Sequence, residues 1–211
     1  MSFDIQCRRC PRLATFLDDV KAKWPDYHAR PVPPFGATDA RLLIVGLAPG
    51  LHGANASGRP FTGDFAGIIL YKLLYEYHFS NKPESLSGDD GLVLENCRIT
   101  NAVKCLPPQN KPSGEEIREC NRYLERELAA LAQGSVVLAL GTIAHQAVVR
   151  AMGAKLSTFA FGHGNRHALP NNNLWLVDSY HCSRYNTQTR RLTERMFRDI
   201  FDQISELLTQ K

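Results

Sequence analysis

No stretch of this sequence is apolar for long enough to cross a membrane. Its longest uninterrupted aliphatic run is about five residues, Val136 to Leu140, against the roughly 20 that a spanning helix needs. A secretory leader is also missing: Met1-Ser2-Phe3-Asp4-Ile5-Gln6-Cys7 has no basic region followed by an apolar one, so a cytoplasmic protein is expected. No internal period recurs, which excludes a repeat architecture. Neither a G-x-x-x-x-G-K-S/T phosphate loop nor a G-x-G-x-x-G fingerprint occurs, and no acidic metal cluster appears. That weakens a nucleotide-hydrolase reading. Charge of one sign is not in large excess, because 25 Lys and Arg against 21 Asp and Glu leave a net +4. This mild basicity is compatible with an anionic partner.

What is present is an ordinary globular composition, 44% hydrophobic and 22% charged over 211 residues, enough for a single domain spanning 1–211 with a full core. Short β-branched runs alternate with helical patterns. Strands are expected at Arg41–Gly46, Arg98–Lys104, Ser135–Leu140 and Leu174–Asp178. Helices are expected over about Ile68–His78, Ser113–Ala132, Thr142–Met152 and Glu194–Leu208. Ser113 with Glu116 forms a capping-box signature, and Met196, Phe197, Ile200, Phe201, Ile204, Leu207 and Leu208 fall on one helical face. Buried strands separated by helices predict an α/β, three-layer sandwich: a central four-stranded, mainly parallel sheet flanked by helices. Ligands of such folds bind outside the carboxyl ends of the strands.

Three unusual segments fall there. Gly46–Gly67 holds six glycines and two prolines in 22 residues, and such a Gly-rich turn lets backbone approach an anion or a flat ring. Arg98–Pro112 places Asn101 inside an apolar strand, where its amide could read a base edge or bond to backbone. Ser179–Thr193 places His181 just past a strand. Between Arg184 and Arg198 lie five arginines and one acidic residue, Glu194, an asymmetry suited to phosphates. The cysteines form a fourth group. Cys7 and Cys10 are two residues apart, and Cys105 and Cys120 flank a strand–helix connection. Four thiolates could hold an iron–sulfur cluster or a tetrahedral zinc, and spacing alone leaves both open. Cys97 reads as an ordinary small buried residue, and Cys182 lacks the partners of a nucleophile.

Taken together, the motifs GLAPG with GRPFTGD, TNAVKCLPPQNKP and HCSRYNTQTRRLT resemble the uracil-DNA glycosylase superfamily, family five, over nearly the whole chain. The resemblance implies a base-excision enzyme acting on DNA that contains uracil or another deaminated base, working as a monomer near the nucleoid. It maps a 4Fe–4S cluster onto Cys7, Cys10, Cys105 and Cys120, favouring that group over zinc. It assigns base binding to Gly46, Pro49, Gly50, Phe61 and Asn101. DNA contact falls to His52, Ser183, Arg184, Tyr185, Arg190 and Arg191, with Arg184 and Tyr185 resembling the duplex-penetrating loop.

Classical uracil enzymes carry a tyrosine after the motif proline that excludes a 5-methyl group. Here Gly50 follows Pro49, implying a broader range of bases. The first motif of this chain has no ionisable group, so the catalytic assignment falls on Asp64 and His181. The alternative for Asp64 is a helix N-cap before Ile68. Two departures stand out: Cys182 replaces the usual proline of the last motif, and Arg190 stands where glycine is frequent. A different functional class, a non-catalytic nucleic-acid-binding module stabilised by a metal or cluster, remains the alternative to the enzyme.

Overall fold

The buried aliphatic runs build a sheet whose two faces are both covered. Residues 3–170 and 173–209 are described by the computed structural model. The strands are β1 (Phe35–Gly36), β2 (Leu42–Gly46), β3 (Cys97–Asn101), β4 (Val136–Leu140), β5 (Arg166–Ala168) and β6 (Trp175–Ser179), in the spatial order β1-β3-β2-β4-β6-β5. The pairs β2·β3, β2·β4 and β4·β6 are parallel, with Gly46 opposite Asn101 and Leu140 opposite Ser179. These are the four expected strands. β1 and β5 add short antiparallel edges, too brief for an alternation to register in the sequence.

Along each central strand successive residues go to opposite layers, as the two-residue period demands. Leu42, Ile44, Val136, Leu138 and Val177 pack with helices α3 (Phe65–Glu76) and α7 (Glu194–Thr209). Leu43, Val45, Val137, Ala139 and Leu176 pack with α4 (Gly114–Ala129) and α5 (Thr142–Ala151). The apolar face expected of α7 is its buried face, through Phe197, Ile200, Phe201, Ile204 and Leu207. The capping box of α4 is complete: Ser113 Oγ accepts from the Glu116 amide at 3.2 Å, and Glu116 Oε2 accepts from the Ser113 amide at 2.7 Å.

Boundaries differ from expectation for local reasons. α3 begins at Phe65 rather than Ile68 because Asp64 is its N-cap, accepting from the Gly67 amide at 2.8 Å. Thr142 is the first residue of α5 rather than its cap, since Gly141 occupies the cap at φ +95°, a backbone region open to glycine. β3 stops at Asn101, after which the Ala102 and Val103 amides turn to the carbonyls of Gly46 and Leu47. Three helices carry little sequence signal: α1 (Pro11–Lys23), the single-turn α2 (Ala54–Ser57) and the short α6 (Arg184–Gln188).

The polar segment Lys82–Gly91 is pinned. Arg59, 7% exposed, bonds Asp90 Oδ1 at 2.8 Å, Ser85 Oγ at 3.0 Å and the Gly88 carbonyl at 2.6 Å. Its guanidinium lies 4.5 Å over the Phe35 ring. Asp90 also accepts from the amides of Leu86, Ser87 and Leu92. Burial alone would raise the Asp90 pKa, but Arg59 and these amides hold it well below the usual carboxylate range. Removing one partner of a buried pair strands the other charge, which costs about 3–5 kcal/mol. Arg59→Ala is therefore expected to lower unfolding free energy by that amount in urea titrations. A loss under 1 kcal/mol would show that this loop is only loosely attached.

Candidate active site

A cavity of about 330 Å³ opens outside the carboxyl ends of β2, β3, β4 and β6, between the strands where the order reverses. This is the switch-point position expected of a parallel α/β sheet. Gly50, Phe61, Asp64, Asn101, His181 and Ser183 all line it. Gly46 and Pro49 do not. Pro49 is buried behind the loop. Gly46 acts by having no side chain: a Cβ there would sit 2.4 Å from Asn101 Oδ1 and 2.8 Å from Phe61 Cζ. The first-motif glycine therefore lets the amide and the ring close over the end of β2.

Phe61 sits at φ +56°, a region a bulky side chain enters at a cost of about 1–3 kcal/mol. Its surroundings enforce it. The Pro60 carbonyl accepts from Tyr71 Oη at 2.8 Å, and the Phe61 carbonyl lies 1.9 Å from where a Cβ on Gly67 would be. The result is an aromatic face in the cavity, with the His181 ring 5.9 Å away at 25° to it. Asn101 is 4% exposed.

Asp64 does two things. One carboxylate oxygen caps α3, and the residue also lines the cavity. Burial raises its pKa, partly offset by the amides of Gly67 and Ala66. Burial pushes the His181 pKa down to about 4, with no neighbouring charge opposing it, so its imidazole is neutral at pH 7. The His181 loop is held without the usual proline. Asn186 Nδ2 donates to the His181 carbonyl at 2.8 Å, and Ser183 Oγ caps α6 by accepting from the Asn186 amide. Cys182 is fully buried and its thiol pKa is raised by burial, which makes it an inert core residue.

Sequence reasoning missed the start of α5. Thr142, Ile143 and Ala144 line the cavity, and the helix has no side-chain cap, so its first N–H groups and positive dipole end face the space. The Gly141-Thr142 pair was the available signal. One turn into α5, buried His145 fixes the helix to β6: Nδ1 is 2.7 Å from Asp178 Oδ1 and Nε2 is 2.9 Å from the Phe159 carbonyl. Burial would lower the His145 pKa, but Asp178 raises it overall.

The remaining predicted residues lie outside the cavity. Arg184 stacks 5.0 Å over Phe65, Arg191 lies 4.7 Å over Tyr180, and Tyr185 is 70% exposed. His52 is exposed, its Nδ1 2.8 Å from Tyr27 Oη. Away from the cavity lining, Cys7, Cys10, Cys105 and Cys120 converge on a small void of their own. Burial, then the neighbouring thiols, push Cys10 up to about 11, and Cys105 rises for the same reasons. Cys120 Sγ accepts from the Lys104 amide at 3.3 Å.

Comparison with known proteins follows the same pattern. The family described as the Uracil DNA glycosylase superfamily matches residues 33–205. A type-5 uracil-DNA glycosylase of Thermus thermophilus is 48% identical over 206 residues, covering 95% of this chain and 93% of that protein. One from Pyrobaculum aerophilum is 44% identical, covering 90% and 83%. A type-4 uracil-DNA glycosylase of Saccharolobus solfataricus is 27% identical, covering 88% and 81%.

Arg190 has φ +58°, a left-handed conformation that glycine adopts at no steric cost. Relieving that strain is worth about 1 kcal/mol, or roughly 2–4 °C in a chain of this size. Arg190→Gly is expected to melt higher by that margin. If the guanidinium touches a phosphate, the same variant reduces the salt slope of DNA binding by about one. A lower melting temperature would contradict the strain argument.

Proposed function

The chain belongs to the uracil DNA glycosylase superfamily, and from that premise we propose that it hydrolyses the N-glycosidic bond of uracil in DNA, initiating base excision repair. One observation carries the reading: a single cavity joins the aromatic face of Phe61, the buried amide of Asn101, the Asp64 carboxylate and a neutral His181. Glycosylases reach their base by turning it out of the stack. Phe61 supplies a flat surface for the base. Asn101 offers a donor and an acceptor side by side to its edge.

Bond cleavage leaves positive charge on the sugar and negative charge on the departing base. Neutral His181 donates a hydrogen bond to the base oxygen as that charge builds, without having to give up its proton. The free N–H groups at the start of α5 add positive potential from a second direction. Asp64, half-buried at the cavity wall, stabilises the sugar cation or orients water. Arg184, Arg190, Arg191 and Tyr185 lie outside, where phosphates and the vacated stack would be. Action as a monomer is part of this reading. Among the described residues no helix is long and apolar enough to cross a membrane, in keeping with a nucleoid-associated setting.

Gly50 supports a broader substrate range. A Cβ there would meet nothing within 4 Å, so the space a tyrosine would fill is open to larger deaminated bases such as hypoxanthine. Gly50→Tyr is expected to reduce hypoxanthine excision at least tenfold more than uracil excision, the scale of about 1.4 kcal/mol of lost fit. Equal losses on both bases would refute the size argument.

We propose that the four thiols, which the fold gathers around one void, hold a 4Fe–4S cluster rather than zinc, the choice resting on the family resemblance, since both metals take four thiolates. When bound, such a cluster neutralises the thiolates and ties the chain before α1 to the β3–α4 connection; the hydrolysis needs no electron from it. Purified protein is expected to be brown with about four irons per chain. Cys120→Ala should lose the iron and Cys97→Ala should keep it. One zinc and no colour would overturn the assignment.

The test of catalysis is Asp64→Asn. Asparagine caps a helix about as well as aspartate, so the thermal melt should be unchanged, while single-turnover uracil excision should fall about 10²- to 10⁴-fold. The pH profile carries the signs of the two shifts. His181, displaced down to about 4, stays neutral through the ordinary histidine range. Asp64, displaced upward, loses its charge at a higher pH than a free aspartate. The rate should therefore be flat through the ordinary histidine range and fall only on its acid side, beginning at a higher pH than a free aspartate would give. An inflection near pH 6.5 would mean that His181 titrates normally and is not buried as described.

A further inference from the structure

We propose that the aromatic face formed by Trp24, Tyr27 and His52 is a second nucleic-acid contact, where an unpaired base of the strand passing the cavity stacks. The inference rests on the cavity being the seat of the extruded nucleotide. The Trp24 and Tyr27 rings lie 5.6 Å apart and nearly parallel, at 11°. His52 stands edge-on to both, at 5.7 and 6.0 Å, and its Nδ1 is held 2.8 Å from Tyr27 Oη. The rings are braced from below, since Trp24 and Tyr27 pack on Leu17, Val20, Ala29 and Leu106. Packing on one side and half-exposure on the other leaves a rigid ledge rather than a loose tuft.

Two features say what the ledge receives. First, it adjoins the cavity: Gly50 lines the cavity, and His52 is two Cα steps away, at most about 7.6 Å. Second, its charge suits a polyanion. Between Lys21 and Arg30 lie three cations, Lys21, Lys23 and Arg30, and one carboxylate, Asp26. Lys23 Nζ lies 4.5 Å over the Trp24 ring. Its flexible stem lets the ammonium move to a phosphate while a base takes the ring face. Aromatic faces combined with a cationic rim are how single strands are held without sequence preference.

The test separates this contact from the cavity. Trp24 and Trp175 are the two tryptophans, so Trp175→Phe leaves Trp24 as the sole indole reporter. A uracil-bearing single strand of about 15 nucleotides should quench its emission, and one of about three nucleotides should not, because it fills the cavity without reaching the ledge. Trp24→Ala should weaken the longer strand by about 5- to 150-fold, the range of one base–aromatic stack, and leave the shorter strand unaffected. Binding is read independently by anisotropy of a labelled strand. A long strand that binds without changing Trp24 emission overturns the inference, and so does equal quenching by both lengths. If Trp24→Ala fails to fold, the Trp175→Phe titration decides alone. Uracil release from the short strand without any Trp24 response rejects this contact and retains the glycosylase. Absence of both binding and release rejects the two together.

Discussion

The site depends on a close approach that only a bare backbone permits. At Gly46 the end of the central strand β2 meets Asn101 from its neighbour and the Phe61 ring from the following loop, at distances where any Cβ would collide. Everything else in the cavity is built to hold that convergence. Phe61 is kept in a left-handed conformation by the helix behind it, through Tyr71 and Gly67. The loop carrying it is locked to the next long loop by Arg59 and Asp90 and by the Thr62–Ser85 hydroxyl pair at 2.7 Å. Backbone strain at Phe61 persists because surrounding contacts over-determine it.

The electrostatics divide cleanly between inside and outside. Burial displaces the Asp64 and His181 pKa values in opposite senses, each towards the neutral form, as expected where solvation is weaker than in bulk water. In such a place the charge separation of a breaking glycosidic bond is felt strongly, and a neutral donor or a helix terminus counts for more than in water. The permanent cations Arg184, Arg190 and Arg191 stay at the surface, two of them stacked on aromatic rings or beside the short α6 helix. They attract the polyanion without competing for the reacting atoms.

How much of this the sequence announced follows from the physics of each signal. The four parallel strands were legible because each is a continuous aliphatic run, and α7 because its apolar period is strong. The start of α4 was legible from Ser113 and Glu116. The edge strands were not, being two and three residues long. Among site residues, Phe61, Asp64, Asn101 and His181 were named from motifs, and they share one cavity. The motifs do not tell that Asp64 both caps α3 and lines the cavity, because one carboxylate has oxygens for both roles. Gly46 and Pro49 were read as contacts, whereas Gly46 is the gap that makes the contact possible and Pro49 lies behind. The α5 terminus went unread because its chemistry belongs to backbone amides, which every residue has.

α1 shows how distant parts of the domain are joined. It starts directly after Cys10, with Pro11 fixing its first turn, and runs through Leu13, Leu17 and Val20 to Trp24. Leu13 enters the layer under α4 and α5, while Leu17 and Val20 join Ala29, Leu106 and Leu51. Leu51 belongs to the turn that begins with cavity-lining Gly50. Leu106 follows thiol-bearing Cys105. One rigid rod of about 20 Å, at 1.5 Å per residue over 13 residues, therefore spans from the thiol pocket to the cavity rim, with apolar contacts at both ends. A helix of that length is marginal alone in water. Its order comes from what grips its ends, so whatever fixes Cys7 and Cys10 also fixes the turn beside the cavity, through packing and without any part in the chemistry.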